Sequence, residues 1–330
     1  MFNNLITFRD LLKLLRKIEQ GEPDEILRKL LSGRQERIKK SWEHTSSPPT
    51  NWWDIPAVKG RWNHLISGNA QVDYYEYVYQ KYLSGRKHLK ALSPGCGTGG
   101  GDLRWAEFRV FDRIDAYDLS ETRIQHAKDS ACQRGYGDII NYRVSNILDV
   151  ELRPDDYDVV YVDGALHHLS PLKGILVRIN RSLKGDGYLF VNEFVGPTRF
   201  QWTDGQLEVI NALLSILPIK YKTLWGSSSV KPRIRRPSRL SMILKDPSEA
   251  VESSMIMPLL HDTLNVVEVR KYGGAVLHML FSGIAHHFLS EDCETQHLLR
   301  LCFHLEDLLM QSGDAQSDFA VVVCRKRTEG

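Results

Sequence analysis

The apolar positions of the chain change period along its length. Between positions 5 and 18 they fall at Leu5, Phe8, Leu11, Leu12, Leu15 and Ile18, with Arg9, Lys13, Arg16 and Lys17 between them. That spacing predicts a helix with one apolar face, packed on its own protein or seated at a surface that its cations suit. Pro23 and Asp24 signal a second helix reaching about Lys40, and 46–50 reads as a loop. Residues 51–68 hold Trp52, Trp53 and Trp62 beside Arg61, Asn63 and His64. Two readings are open there: a lid over a small-molecule site, or an aromatic anchor fastening the N-terminal helices to the body. Tyr74, Tyr75, Tyr77, Tyr79 and Tyr82 continue on a predicted helix that ends at 84–86.

From about His88 the pattern becomes strand-like and then alternates with helical segments. A short apolar run ends in Gly95, Gly97, Gly99, Gly100 and Gly101, and an amphipathic stretch follows at 103–108. This is the order strand, tight turn, helix, in which glycines accept positive φ and let a ligand approach the backbone. A second strand at 114–120 carries Asp118, and a third ends at 144–148. A fourth at 157–163 is nearly all apolar before Asp163, as a strand covered on both faces should be. A turn and a fifth strand occupy 183–193. Helices between the strands make this a β-α-β series with a parallel sheet. Beyond it we expect a helix at 203–217, a basic segment at 218–245, and a helix capped by Asp246 or Ser248 running to about Asp262. A sixth strand at 264–271, helical residues 275–310 broken near Ser290, and a last strand at 318–325 complete the chain.

Composition narrows the class. A chain of 330 residues with net charge +2, 42% hydrophobic and 25% charged, is an ordinary globular protein with no global argument for nucleic acid or membrane. Five scattered cysteines without a C-x-x-C predict a reducing compartment and no disulfide framework. The charged N-terminus is not a signal peptide, and no apolar run reaches the length of a membrane span, so a cytoplasmic location is expected. Gly95, Gly97 and Gly100 satisfy the G-x-G-x-x-G dinucleotide pattern, while Gly95, Gly97 and Gly99 satisfy G-x-G-x-G. A dinucleotide needs a second nucleotide-binding half, which is not found. Asp118 lies about 20 residues beyond the glycines, where an acid can accept from both ribose hydroxyls. Ser120 is the more natural cap of the helix that follows.

Residues 91–193 resemble the core of the class I S-adenosylmethionine-dependent methyltransferases. The glycine turn resembles their first motif and 117–120 their second-strand motif. Residues 145–148 resemble the adenine-contacting stretch, 158–169 the fourth strand with a following His-His-Leu, and 185–193 the fifth-strand motif. The resemblance implies a Rossmann-like methyltransferase fold: a mostly parallel seven-stranded sheet whose last strand inserts antiparallel beside the sixth. It further implies a helical N-terminal lid over 1–87 and a cofactor-binding domain over 88–330, with insertions at about 196–262 and 274–314. S-adenosyl-L-methionine is the implied cofactor. Gly95, Cys96, Gly97 and Gly99 would lie under its methionine and ribose, Asp118 and Leu119 at the ribose, Asn146 and Ile147 around the adenine, and Asp163 and Ala165 on the methionine side. One departure matters. Ser93 stands where many relatives carry an acid that holds the cofactor's amino group, so that contact falls to Arg61 or Asp102.

The implied chemistry is in-line transfer of a methyl group, with O-methylation of a small molecule, sugar or glycan as the reading. Such a reaction needs positioning, exclusion of water and, for an alcohol, a general base. His167, His168 and Glu193 can reach the methyl side, and histidine is the natural base near neutral pH. The competing reading packs one imidazole beneath the cofactor and turns the other away. The basic cluster of 220–245 would suit an anionic acceptor if it overlies the site, or RNA or protein in a second reading; a cofactor-binding protein without catalysis is a third. The added helices could serve a homodimer. No H-E-x-x-H, cysteine cluster or magnesium-type acid set is present, so no metal site is expected.

Overall fold

The computed structural model describes residues 33–43 and 48–327. The helix expected at 5–18 and most of that expected at 24–40 lie outside the described residues. Seven strands form one sheet: β1 (Leu89–Pro94), β2 (Phe111–Asp118), β3 (Ile140–Val144), β4 (Tyr157–Asp163), β5 (Leu183–Phe194), β6 (Asn265–Gly273) and β7 (Phe319–Arg325). Their order is β3-β2-β1-β4-β5-β7-β6. The first five run parallel, and β7 inserts antiparallel between β5 and β6. This is the Rossmann-like methyltransferase sheet. The described helices are α1 (Arg34–Ser41), α2 (Pro56–Ser67), α3 (Tyr74–Val78), α4 (Gly100–Ala106), α5 (Glu121–Gln133), α6 (Leu172–Ser182), α7 (Asp204–Ile216), α8 (Arg239–Lys245), α9 (Ile256–Thr263), α10 (Leu277–Phe281) and α11 (Cys293–Gln311).

Alternation along the strands divides the core in two, because successive side chains point to opposite faces. Ala91, Val159, Tyr161, Phe190, Val321 and Val323 face one side, and Leu92, Val160, Val162, Leu189, Val191 and Val322 the other. The second face is covered by α6 and α9. Leu172, Ile175, Leu176 and Ile179 recur at helical spacing on α6 and are fully buried. The start of α6 is fixed by Glu252, whose carboxylate accepts from the Ser170 hydroxyl and the Leu172 N–H. The first face carries the aromatic mass: Trp105 stacks on Phe190, and Trp52 packs on Trp62, His278 and Phe319.

Those contacts decide between the two readings of 51–68. Trp52 is fully buried against the sheet and Trp62 rests on Tyr272, so this segment is the aromatic anchor. Arg61 is spent in the same place. Its guanidinium pairs with Glu306 and Asp307 on α11 at 3.0 and 2.6 Å and does not line the crevice at β1 and β4, so it is not placed to hold a cofactor's amino group there. The helix expected from Asp246 is also corrected. α8 ends at Lys245, and Asp246 instead closes a turn by accepting from the N–H and hydroxyl of Ser248; the next helix begins only at Ile256. A proline follows Asp246, and an Asx turn competes with the helix it would have capped.

The basic segment does not overlie a ligand site. Lys231 donates to the carbonyls of Met279, Leu280 and Ser282, closing the end of α10. Lys220 pairs with Glu294, and Arg236 with Asp204 and the Trp202 carbonyl. Among the described residues no helix is long and apolar enough to cross a membrane.

His278 sits inside the aromatic cluster, within about 6 Å of the rings of Trp52, Phe194, Phe200, Trp202 and Phe319. Burial pulls its pKa down to about 4. The unfolded chain therefore takes up a proton below its ordinary pKa that the native state refuses, so stability is full above about 6.5 and falls as the pH drops toward 4. In chemical denaturation between about pH 7.5 and 5, the native protein should lose about 2 kcal/mol more than His278→Gln.

Candidate active site

Strand order reverses between β1 and β4, and the loops at their C-terminal ends bound a crevice of the kind that holds ligands in open α/β sheets. The floor is the turn after β1. Gly95 has φ 72° and Gly99 φ 80°. A Cβ on Gly95 would lie 2.7 Å from Cβ of Ala165, and one on Gly99 2.4 Å from the Tyr142 hydroxyl. These glycines are required by the close approach of neighbouring chain as well as by their φ.

Asp118 ends β2 and lines the crevice. Its Oδ2 accepts from the Gly97 N–H at 2.9 Å and its Oδ1 from the Ser120 N–H at 2.8 Å. Ser120 caps α5 by accepting from the Arg123 N–H. β3 stops at Val144, short of the expected 144–148, because 145–150 folds as a turn in which the Asn146 side chain accepts from the Leu148 N–H. Asn146 and Ile147 form one wall with Leu119 and Leu148. The opposite wall is α1 with Trp42, whose ring meets Arg123 at 4.7 Å and His168 edge-on at 4.6 Å. Gly164, Ala165, His168 and Ser248 close the far end.

The crevice thus gathers Gly95, Asp118, Leu119, Asn146, Ile147, Ala165 and His168 from the expected set. Cys96, Gly97, Gly99, Asp163, His167 and Glu193 lie around it without lining it. Asp163 is held by the hydroxyls of Tyr74 and Tyr75, and burial, then Glu193, pushes its carboxyl up to about 8. Asp102, on the first turn of α4, accepts from the Tyr161 hydroxyl at 2.8 Å; burial pushes it up to about 6. Cys96 is raised well above the usual thiol range by burial. Trp42, Arg123 and Ser248 were not singled out in the sequence. A tryptophan beside a charged helix was the one visible signal for the first; Ser248 was read only as a possible helix cap, and its place at the crevice depends on the turn at Asp246.

At the far end, Glu193 is fully buried. Its carboxylate accepts from the N–H groups of Leu166 and Phe194, both at 2.6 Å, and holds Nδ1 of His167. Three local contacts engage its two oxygens, so it is placed to position His167. Nε2 of His167 faces Glu249, 3.6 Å away. Burial alone would lower the His167 pKa, but Glu193 and then Glu249 raise it above its ordinary value. His168 differs: burial and the neighbouring His167 hold it well below its ordinary value. The two rings stack with centroids 3.9 Å apart.

Residues 92–191 match the family model described as a methyltransferase domain. Over 130 residues the chain is 23% identical to a sterol 24-C-methyltransferase of Candida albicans, covering 39% of this chain and 34% of that protein. Over 122 residues it is 30% identical to a malonyl-(acyl-carrier protein) O-methyltransferase of Bacillus cytotoxicus, covering 37% of this chain and 41% of that protein. The matched part therefore spans well under half the length of these curated relatives. A solved geranyl diphosphate methyltransferase in complex with GPP and sinefungin superposes with a TM-score of 0.54 at 12% identity, over 90% of this chain and 100% of that one; it shares the fold. Sheet order and matched segment agree: residues 92–191 carry a methyltransferase domain on a Rossmann-like sheet.

The hold of Glu193 on His167 is measurable. Glu193→Gln removes a charge-assisted hydrogen bond worth about 1.5–3 kcal/mol, and should lower the His167 pKa by about one to two units in an NMR titration of the imidazole. An unchanged value would show that Glu193 does not charge the ring.

Proposed function

We propose that this protein transfers the methyl group of S-adenosylmethionine to an oxygen of a small-molecule acceptor. The observation that carries the reading is Asp118 standing at the open crevice where the strand order reverses, with a pair of histidines at the other end. The residues suit such a cofactor. Asp118 would take the ribose hydroxyls, with Leu119 beside it. Asn146, Ile147 and the Trp42 ring would flank the adenine, and the backbone of Gly95, Cys96, Gly97 and Gly99 would run beneath the ribose and methionine. Ala165 and Asp163 would border the methionine, and Asp102 supplies the acid missing at Ser93. When bound, the cofactor supplies an electrophilic methyl carbon on a sulfonium. The protein's work is then to hold the acceptor in line and keep water out. Glu193 fixes the His167 ring so that Nε2 points to the acceptor side, and α1 with Trp42 serves as the lid.

Of the basic segment, Lys220, Lys231 and Arg236 are engaged by carbonyls and carboxylates, while Arg233, Arg235 and Arg239 are exposed; the enclosed shape of the crevice is what favours a small molecule. Nothing among the described residues favours a sugar or glycan. A second reading, methylation at carbon, draws on the names of the sterol and geranyl diphosphate relatives. Incubation with methyl-labelled cofactor and a panel of small alcohols, phenols, acids and isoprenoids should yield a labelled product, whose carbon shift tells O–CH₃ from C–CH₃. Asp118→Ala should weaken S-adenosylhomocysteine binding by about 10–100-fold in calorimetry, the loss expected of charge-assisted hydrogen bonds, while the protein stays folded. Unchanged affinity would remove the ribose assignment.

A further inference from the structure

We infer that His167, His168 and Glu249 form a binding site for a divalent transition-metal cation, zinc foremost, with a position left open toward the crevice. It rests on the reading above only for what the cation does, not for its binding. One ring nitrogen of each histidine and a carboxylate oxygen of Glu249 lie within 4.8 Å of one another. The separation of His167 Nε2 from Glu249 Oε1 is 3.6 Å, too long for a hydrogen bond. Two ligands on a tetrahedral zinc, each at about 2.0–2.1 Å, stand about 3.4 Å apart. The widest separation in the cluster needs to close by about an ångström, within the reach of side-chain rotation.

The surrounding hydrogen bonds decide which nitrogens carry lone pairs. Glu193 accepts from backbone N–H groups and faces Nδ1 of His167, so Nδ1 bears the proton and Nε2 is free to ligate. The Ser248 hydroxyl donates to Asp246 at 2.6 Å and lies 3.3 Å from Nδ1 of His168. It can therefore only accept from that nitrogen, which leaves the lone pair of His168 on Nε2. Two imidazole nitrogens and a carboxylate thus converge at one point. A proton can bridge two such atoms only at hydrogen-bond distance, whereas a cation can bridge all three.

The arrangement has the supporting parts of a metal centre. A buried carboxylate behind one ligating histidine is the usual outer-shell partner, orienting the ring and raising its basicity. Arg199 donates to the carbonyls of Pro247 and Glu249 and so fixes the loop that presents Glu249. The carboxylates of Glu193, Asp246 and Glu249 act on His167, and the guanidinium groups of Arg123 and Arg199 act on His168. Two nitrogens and one oxygen suit zinc and its first-row neighbours rather than calcium or magnesium. Three protein ligands leave a coordination position free, as in catalytic zinc sites. Since His168 lines the crevice, that position opens where the acceptor would lie, and a hydroxyl or thiol bound there becomes more acidic. No sequence motif marks the site, because two ligands are adjacent and the third comes from a distant turn.

The test uses the full chain without tag histidines, stripped with a chelator and titrated with cobalt(II) by visible absorption and with zinc(II) by calorimetry. One equivalent should bind, with ligand-field bands of a four- or five-coordinate ion. Glu249→Gln and His168→Gln should each weaken binding at least about tenfold with circular dichroism unchanged. In Glu249→Gln, at a residue that does not line the crevice, S-adenosylhomocysteine affinity should stay at the wild-type value. Cys293 Sγ lies 3.5 Å from His297 Nδ1 on α11 and could trap zinc adventitiously, so Cys293→Ser serves as control and should change nothing. No stoichiometric binding, binding that survives both Glu249→Gln and His168→Gln, or binding lost in Cys293→Ser would each overturn the site. Loss of S-adenosylhomocysteine binding in the wild-type protein would instead overturn the methyltransferase reading and leave the metal result standing.

Discussion

One carboxylate keeps the crevice in register. Asp118 accepts from Gly97 in the turn after β1 and from Ser120 at the start of α5, so a single side chain ties together the loops that leave the paired strands β1 and β2. Each bond to an ionised acceptor is worth more than a neutral one, and both form at the edge of water where either loop could otherwise drift. The glycine turn, the helix cap and the Arg123 side chain that meets Trp42 all take their places from that point. A ribose arriving there would share a carboxylate already engaged, which makes the floor of the crevice pre-organised rather than formed around its ligand.

Much of this was legible in the chain itself because it rests on local rules. The sheet order follows from strands alternating with helices, and β4 announces its central position by being apolar on both faces. The turn glycines and the acid at the end of the next strand are short-range features as well. What could not be read depends on distant pairings. Arg61 looked available for a ligand because Glu306 and Asp307, which hold it, lie on the far helix α11. Lys231 looked like a surface cation until α10 offered it three carbonyls. Asp246 followed by proline and serine satisfied every sign of a helix start, yet its side chain closed a turn on Ser248.

That turn matters more than the helix it replaced. It carries Ser248 to His168 and Glu249 to His167, joining the loop after β4 to a segment beyond α8. The far end of the crevice is therefore assembled from the loop after β4, which the methyltransferase domain model spans, and from a turn at 246–249 that lies outside it. Two histidines side by side with opposite shifts, one raised by carboxylates and one lowered by burial, show how finely neighbouring positions can be set apart when their hydrogen-bond partners differ.

The wall made by α1 and Trp42 has a consequence for timing. It reaches the body through the Ser41 hydroxyl on the Lys245 carbonyl at 2.9 Å and through the Trp42 ring on Arg123 and His168, whereas the floor is knitted into the sheet. A nucleoside beneath it is enclosed by one strongly bonded surface and one lightly moored one. Residence time in such a chamber would follow how often that wall parts from the floor, so turnover would be set by that separation instead of by the bond being made.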